Sequence, residues 1–456
     1  MKFDIITCTD INRGIGKGGT IPWNEPEDIK RFKQITTTAS KNKINAIVMG
    51  RKTYESIGKP LSNRLNVIIS STLKDVQDCY VFDNFNKALN FLDEKLEVEN
   101  CFIIGGAQLY ELVLSDPRLR FVYITRLHKD YDCDVYFPVV SYSKYTILET
   151  YADEHYTFEK LSIVNNEEEH FLNIMCNILS SNYKSVDRTQ VGTYSLFGQH
   201  LRFDLRHSFP LMTTRKLFLR PILEEFKFIM SGSTDVNKLR EKNVHIWDAN
   251  TTRQFLDING LTHLPEYDMG PTYGFLVRHF GATYVDCKTD YTNQGYDQLQ
   301  DVYNLIKNNP SSRRIRISQW DPSNLDKSPL PSCLCQFDFF VNTNEKTLSL
   351  CVFLRSSDTF LALMWNVAYS AIFCMVMAKL TGYTPGDLVV NTCNSHIYLN
   401  HVDQVKEQII RTPYPFPTAK LLKNIKTIDD IQTLEVNDFN IKSYVSHPKL
   451  TGEMAI

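Results

Sequence analysis

The chain has 456 residues, enough for two or three domains with substantial cores. It is 43% apolar and 22% charged, as in soluble globular proteins, with 50 basic residues against 52 acidic ones. That balance leaves no global field for nucleic acid or an anionic membrane, so any phosphate recognition must be local.

The eleven cysteines are scattered, odd in number and free of CxxC pairs, which argues against a disulfide framework and a zinc site. No metal is expected, and the compartment is expected to be the reducing cytoplasm. The N-terminal stretch carries Asp4 inside a short apolar run and has no small-residue cleavage site, so it reads as a first strand.

Apolar runs at 3–9, 46–49, 67–69, 102–104 and 122–125 alternate with helix-like stretches at 27–36 and 85–95. This alternation predicts a largely parallel α/β sheet that binds ligands at the carboxyl ends of its strands. Gly14-Ile15-Gly16-Lys17-Gly18-Gly19 matches GxGxxG, but Thr20-Ile21-Pro22-Trp23 follows where a dinucleotide fingerprint requires a helix, so a mobile loop is expected. Gly50-Arg51-Lys52-Thr53 and Gly105-Gly106 each follow an apolar strand and precede a helix. Backbone N–H groups there can hold phosphate, or the glycines only permit tight turns. Asp28 opens a helix beside Pro22-Trp23. It reads either as a helix-start acid or as the only carboxylate of an apolar pocket, holding a protonated heterocycle.

A strand at 158–164 closes a first domain spanning 1–165. Glu167-Glu168-Glu169 then opens a helix with Phe171, Leu172, Met175, Ile178 and Leu179 at helical spacing, its acids sitting where a helix start favours them. A second domain spans 166–456 with almost no linker. Within it Cys333 stands between a proline turn and an alternating strand at 336–341, and the stretch 350–358 ends a second strand in Arg355. A thiolate needs a nearby cation and a fixed frame, which this pair can supply; the alternative is a buried core cysteine. No charged residue occurs between Thr359 and Ala378, but Asn366, Tyr369 and Ser370 interrupt the run, so it reads as a buried helix rather than a membrane span.

The ordered series Asn12-Arg13-Gly14-Ile15-Gly16, Ile21-Pro22-Trp23-Asn24, Asp28, Val48-Met49-Gly50-Arg51-Lys52-Thr53, Ser56-Ile57-Gly58-Lys59-Pro60-Leu61, Arg64 and Ile103-Ile104-Gly105-Gly106-Ala107 resembles dihydrofolate reductase. The resemblance implies that Asp28, helped by Thr125, orients the pterin and promotes protonation of N5. It implies folate contacts from Ile6, Phe32, Ile57, Ile104 and Arg64, the last pairing with a carboxylate. It further implies an NADPH site of Cys8, Ile15, Gly16, Gly50, Arg51, Lys52, Thr53, Ser70, Ser71, Gly105, Gly106, Ala107 and Tyr110, with Arg51 and Ser70 at the 2′-phosphate. Cys8 stands where that family usually has alanine.

The second domain resembles thymidylate synthase through Asp187-Arg188-Thr189, Phe209-Pro210-Leu211, Leu223-Glu224-Glu225, Ile246-Trp247-Asp248, Gly270-Pro271-Thr272-Tyr273-Gly274, Ser312-Arg313-Arg314, Pro331-Ser332-Cys333, Arg355-Ser356, Asp358, Asn366, His396-Ile397-Tyr398 and Met454-Ala455-Ile456. Cys333 is the implied nucleophile toward C6 of dUMP. Arg188, Arg355 and Ser356 are implied at the 5′-phosphate, with Arg313 and Arg314 reaching in from the other subunit of a homodimer. Asn366 would read the uracil, and His396 and Tyr398 the deoxyribose. Glu225 would organise proton transfers and Tyr273 would lie near the methylene transfer. Trp247, Asp358 and the Ile456 carboxylate would hold 5,10-methylenetetrahydrofolate.

In tandem the two halves resemble the bifunctional dihydrofolate reductase–thymidylate synthase family. The expected architecture is an α/β reductase domain, a mostly parallel twisted sheet flanked by helices, followed by an α+β synthase domain. Leu334 stands where the synthase family has histidine, Leu354 where it has glutamine, Val277 where it has tryptophan, and Ala362 and Met364 where it has glycine and proline. Thr392-Cys393-Asn394 replaces Gly-Gly-Asp. These substitutions leave two alternatives open: an active reductase fused to an impaired nucleotide-binding and dimerisation module, or a pyrimidine hydroxymethylase.

Overall fold

The structure is a computed structural model that describes residues 1–456 apart from Asn182, Asp187, Arg188 and Ile456. The chain forms two compact units. The first comprises 1–165 together with two short later segments, 414–418 and 441–445.

In chain order the first unit contains β1 (Phe3–Thr9), β2 (Gly14–Gly16), α1 (Pro26–Thr37), β3 (Ile44–Gly50), α2 (Arg51–Ile57), β4 (Arg64–Ile69), β5 (Cys79–Phe82), α3 (Phe85–Glu94), β6 (Val98–Ile103), α4 (Ala107–Val113), β7 (Leu119–Leu127), β8 (Val135–Tyr136), β9 (Tyr145–Ala152) and β10 (Tyr156–Ile163). Eight strands form one sheet in the order β5-β4-β3-β6-β1-β7-β10-β9. All pairs from β5 to β7 are parallel, and β10 and β9 add an antiparallel edge. Parallel strands covered on both faces read as continuous apolar runs, which is why β1, β3 and β6 were visible in the sequence.

Residues 14–19, expected as a mobile loop, begin with regular pairing. Gly14–Gly16 is a strand paired with β8, and Lys17 bridges Thr20. A Cβ at Gly14 would lie 2.4 Å from the Cβ of Cys133 and 2.7 Å from Oδ2 of Asp10, so the glycine admits a close backbone approach. Buried Asp10 organises the turn by accepting the N–H groups of Asn12 and Gly14 at 2.9 and 2.6 Å.

Asp4, the acid inside the first apolar run, is buried in a two-pronged pair with Arg120. Nε donates to Oδ1 at 2.8 Å and Nη2 to Oδ2 at 2.6 Å. Buried Lys442, from the 441–445 segment, donates to the carbonyls of Leu92, Asp93 and Lys95 at 3.0–3.1 Å. A lysine at a helix C-terminus satisfies carbonyls left open by the last turn.

The second unit contains α5 (Asn166–Ser180), β11 (Lys184–Ser185), β12 (Thr193–Asp204), α6 (Leu219–Met230), α7 (Asn237–Arg240), α8 (Arg253–Ile258), α9 (Gly274–Arg278), α10 (Gln298–Asn308), β13 (Arg316–Ser318), β14 (Leu334–Asn342), β15 (Thr347–Asp358), α11 (Leu363–Thr381), β16 (Thr384–Tyr398) and α12 (Val402–Ile409), while a two-stranded ribbon of β17 (Thr418–Leu421) and β18 (Phe439–Lys442) has residues in both units. Its six-stranded sheet runs β11-β12-β16-β15-β14-β13. The uncharged run forms α11, buried on every face and packed along β15 and β16, so it is the core helix expected. The opposite sheet face carries Gln336, Asp338 and Phe340 on β14 and Cys351 and Phe353 on β15, with Phe340 67% exposed.

Glu168 sits in the first turn of α5, as expected of a helix-start acid. It is fully buried and accepts the backbone N–H and hydroxyl groups of Thr213 and Thr214 at 2.6–3.0 Å.

Candidate active sites

In the first unit, Asp28 lies in the first turn of α1, half-buried. Burial raises its carboxyl above the ordinary aspartate range, while hydrogen bonds from Thr125 and Cys8 and the charge of Arg31 pull it back. Cys8 and Thr125 are register partners on β1 and β7, so the sheet delivers both donors to one side chain. Burial, and then Asp28, push the Cys8 thiol far up, which keeps it an S–H donor. Ile6, Phe32, Ile57 and Ile104 meet in one apolar cluster. Arg64 is buried, holds Thr36 Oγ1 at 2.9 Å and lies over the Phe32 ring at 5.8 Å. An apolar slot with one acid and one arginine fits a flat heterocycle carrying a carboxylate tail.

Beside the slot, the two glycine turns are brought together. The Gly50 N–H donates to the Gly105 carbonyl at 2.8 Å, and the Gly105–Gly106 peptide is cis. A Cβ at Gly106 would approach only Thr53 Oγ1, at 3.4 Å, so backbone is presented there bare. Arg51 and Lys52 project exposed from α2, with Arg51 paired to Glu55 at 3.4 Å. Ser70 Oγ caps the turn after β4 by accepting the Leu73 N–H at 3.0 Å, and Ser71 is exposed. Tyr110 is buried, its hydroxyl donating to the Ile6 carbonyl at 2.9 Å, and Ile15 packs on the core beside Gly16. Bare glycine backbone with nearby cations and hydroxyls fits a phosphorylated dinucleotide.

In the second unit, Cys333 immediately precedes β14. Its N–H donates to the Tyr273 hydroxyl at 3.0 Å, and Nη2 of Arg355 lies 3.8 Å from its sulfur. Arg355 is itself fixed by donating to the carbonyls of Ser332 and Pro331 at 3.0 and 2.8 Å. Ser332 Oγ bonds Thr272 Oγ1 at 2.9 Å and so ties the cysteine turn to the segment carrying Tyr273. Burial and the neighbouring cysteine push the Tyr273 phenol well up, keeping it neutral. The Trp247 ring meets Tyr273 edge-on at 5.2 Å, and its indole N–H donates to Glu225 Oε1 at 2.9 Å. A thiol beside a fixed guanidinium, with a buried carboxylate beyond an aromatic wall, is equipped for nucleophilic addition and proton transfer.

The comparisons match both halves. A dihydrofolate reductase family profile covers residues 2–166, and a thymidylate synthase profile covers 169–456. The bifunctional dihydrofolate reductase-thymidylate synthase of Paramecium tetraurelia is 38% identical, spanning 100% of this chain and 99% of its own length. Those of Leishmania major and, as its form 1, Arabidopsis thaliana are each 36% identical across 100% of this chain and 95% and 96% of theirs. The chain belongs to the bifunctional dihydrofolate reductase–thymidylate synthase family. It carries both activities in thymidylate synthesis, so the impaired-module and hydroxymethylase alternatives fall.

The other sequence-predicted residues of the synthase unit fall as follows. The Asp358 Oδ1 accepts the Phe360 and Leu361 N–H groups at 2.9 and 3.0 Å. Asp358 is the register partner of His396, and Ser356 of Asn394, whose side chain bonds His396 at 3.0 Å. His396 and Tyr398 have ring centres 5.2 Å apart. Asn366 is half-buried in the first turn of α11. Arg313 and Arg314 are exposed ahead of β13, and no side-chain contact brings them to Cys333 among the described residues. Arg188 and Ile456 lie outside the described residues. Trp320, 5.5 Å beneath the Arg355 guanidinium, and Ser332 escaped the sequence reading, although the latter sits inside the quoted Pro-Ser-Cys motif.

Proposed function

We propose that the synthase unit methylates dUMP through a covalent bond between Cys333 and C6 of the uracil. The bond makes C5 a nucleophile toward the methylene of 5,10-methylenetetrahydrofolate. Loss of the C5 proton and hydride transfer from the folate then yield dTMP and dihydrofolate and release the thiolate. The observation carrying this reading is Cys333 held between the Tyr273 hydroxyl on its N–H and Arg355 on its sulfur side. Arg355 serves the 5′-phosphate and stabilises the thiolate; Asn366 reads the uracil edge, with both a donor and an acceptor to offer. Glu225 organises the proton transfers behind Trp247. Trapping the ternary adduct with 5-fluoro-dUMP and methylenetetrahydrofolate tests this directly. Mass spectrometry is expected to find it on Cys333 and to lose it in Cys333→Ser; an adduct elsewhere, or none, overturns the assignment.

The reductase unit then reduces the dihydrofolate. NADPH, when bound at the paired glycine turns, supplies the hydride. Asp28 orients the pterin and promotes protonation of N5, Cys8 and Thr125 hold Asp28, and Arg64 takes the folate carboxylate. NADPH oxidation with dihydrofolate, lost in Asp28→Asn, checks the assignment.

The synthase unit works as a homodimer. Phe340 and Phe353 on the outer sheet face support this, since a face with such residues is suited to a partner surface. Arg313 and Arg314, exposed and without a side-chain contact to their own Cys333 among the described residues, serve the other subunit's phosphate. Mixing inactive Cys333→Ser with inactive Arg313→Ala/Arg314→Ala protein should restore synthase activity if one intact site forms per mixed dimer. We place the protein in the cytoplasm, in keeping with eleven unpaired cysteines.

A further inference from the structure

Glu225 is buried on α6, and each of its carboxylate oxygens receives an indole. Trp247 donates to Oε1 at 2.9 Å, and Trp365, from the first turn of α11, donates to Oε2 at 2.5 Å. Trp365 immediately precedes Asn366, the residue assigned to the uracil edge, and no motif singles it out. Indole nitrogen is donor-only, so it can neither take a proton from the acid nor pass one on. A donor-only partner favours the charged carboxylate and leaves further lone pairs on each oxygen as acceptors. Burial opposes this by raising the carboxyl above the ordinary glutamate range, and Trp365 and then Trp247 act against burial. The other groups that face Glu225 among the described residues are the phenols of Tyr273 and Tyr369, both buried and held neutral, and neither is a cation.

We infer that Trp365 is a positioning residue of the synthase, its indole N–H fixing the outer oxygen of Glu225 and keeping the carboxylate a proton acceptor next to the nucleotide. The inference rests on Glu225 being the group that organises proton transfer. It also gives α11 two linked tasks in consecutive residues: Trp365 sets the carboxylate and Asn366 the base.

The test is the pH profile of synthase turnover in the full chain. Trp365→Phe keeps the aromatic body and removes only the N–H. Its acidic limb in kcat is expected to move to higher pH by about one unit, so that kcat on that limb falls about tenfold while the alkaline plateau is regained. The KM for dUMP should stay within about twofold, as expected when an interaction acting on the chemical step is removed. Trp365→His, which restores a ring N–H donor, should recover part of the shift. A uniform loss of kcat at every pH, or a loss that appears in KM, overturns the inference. Glu225→Gln separates its two foundations. If that variant keeps the wild-type limb, Glu225 is not the titrating group and the underlying reading fails. If it abolishes the limb while Trp365→Phe leaves it in place, the role of Trp365 alone fails.

Discussion

Leu334 and Leu354 face each other across β14 and β15 as register partners, both buried. Each stands beside a residue of the proposed site, Cys333 and Arg355, and each occupies a position that is commonly polar in the synthase family. Together they form one apolar contact, so neither change strands an unpaired polar group in the sheet. Truncating either leucine to alanine should cost about 2–5 kcal/mol. The double variant should cost less than the sum by about 0.5–3 kcal/mol, because the two share a contact. Thermal unfolding of the synthase unit measures both, and strict additivity would refute the pairing.

With Asp28 in the proposed role, the reductase takes its pH dependence from this acid. Its raised carboxyl is a proton source that disappears as pH climbs through that value, so hydride transfer should fall above it by about one decade per pH unit. Cys8→Ala and Thr125→Val each remove a donor to the carboxylate, raise the value further and move the falling limb to higher pH. Stopped-flow NADPH oxidation across pH would show a limb that does not move if these contacts are idle.

The same raised value carries a stability consequence. A carboxyl raised in the folded state contributes stability below its unfolded value and loses it as pH rises through the folded one, so ionised Asp28 is a burden at neutral pH. Asp28→Asn should therefore raise the melting temperature of the reductase unit while slowing hydride transfer by about 10²–10⁴. A lower melting temperature would contradict the sign.

Arg120→Met leaves the Asp4 charge buried without its partner and should destabilise the reductase unit by about 3–5 kcal/mol. Asp4→Leu/Arg120→Met removes both charges and should recover most of that loss. Retention of reductase activity on heating reports both. Equal losses in the single and double variants would show that packing, not charge, is at stake.

Lys442→Met removes the donor to three carbonyls at the end of α3 and should cost about 1–3 kcal/mol. The loss should appear in reductase heat stability, although residue 442 lies within the synthase-matching half of the sequence. An unchanged reductase would remove Lys442 from that unit's energetics.

How much of this was legible depended on whether a residue's partner lay nearby in the chain. The parallel strands of the reductase sheet and α11 announced themselves as unbroken apolar runs, and Asp28, Cys333 and Arg355 stood in recognisable local contexts. Asp4 and Glu168 were visible as acids but not as buried ones, because Arg120 and Thr213-Thr214 lie 116 and 45 residues away. Trp365 was hidden for the same reason: its partner Glu225 is 140 residues upstream, and an isolated tryptophan beside a core helix reads as packing. The Gly14–Gly19 stretch misled because glycine spacing reports backbone freedom without saying what uses it. Here the crowded neighbour is Cys133.

The segments 414–418 and 441–445 bear on how the protein is made. Once residue 165 has been polymerised, roughly 275 more must follow before Lys442 exists, a delay of about 15–55 s at ordinary elongation rates. During that interval the nascent reductase has Asp28 and every residue of its eight-stranded sheet, but the end of α3 lacks its last donor. A chain that ends before residue 442 would therefore carry a reductase unit without the donor that satisfies three carbonyls at the end of α3.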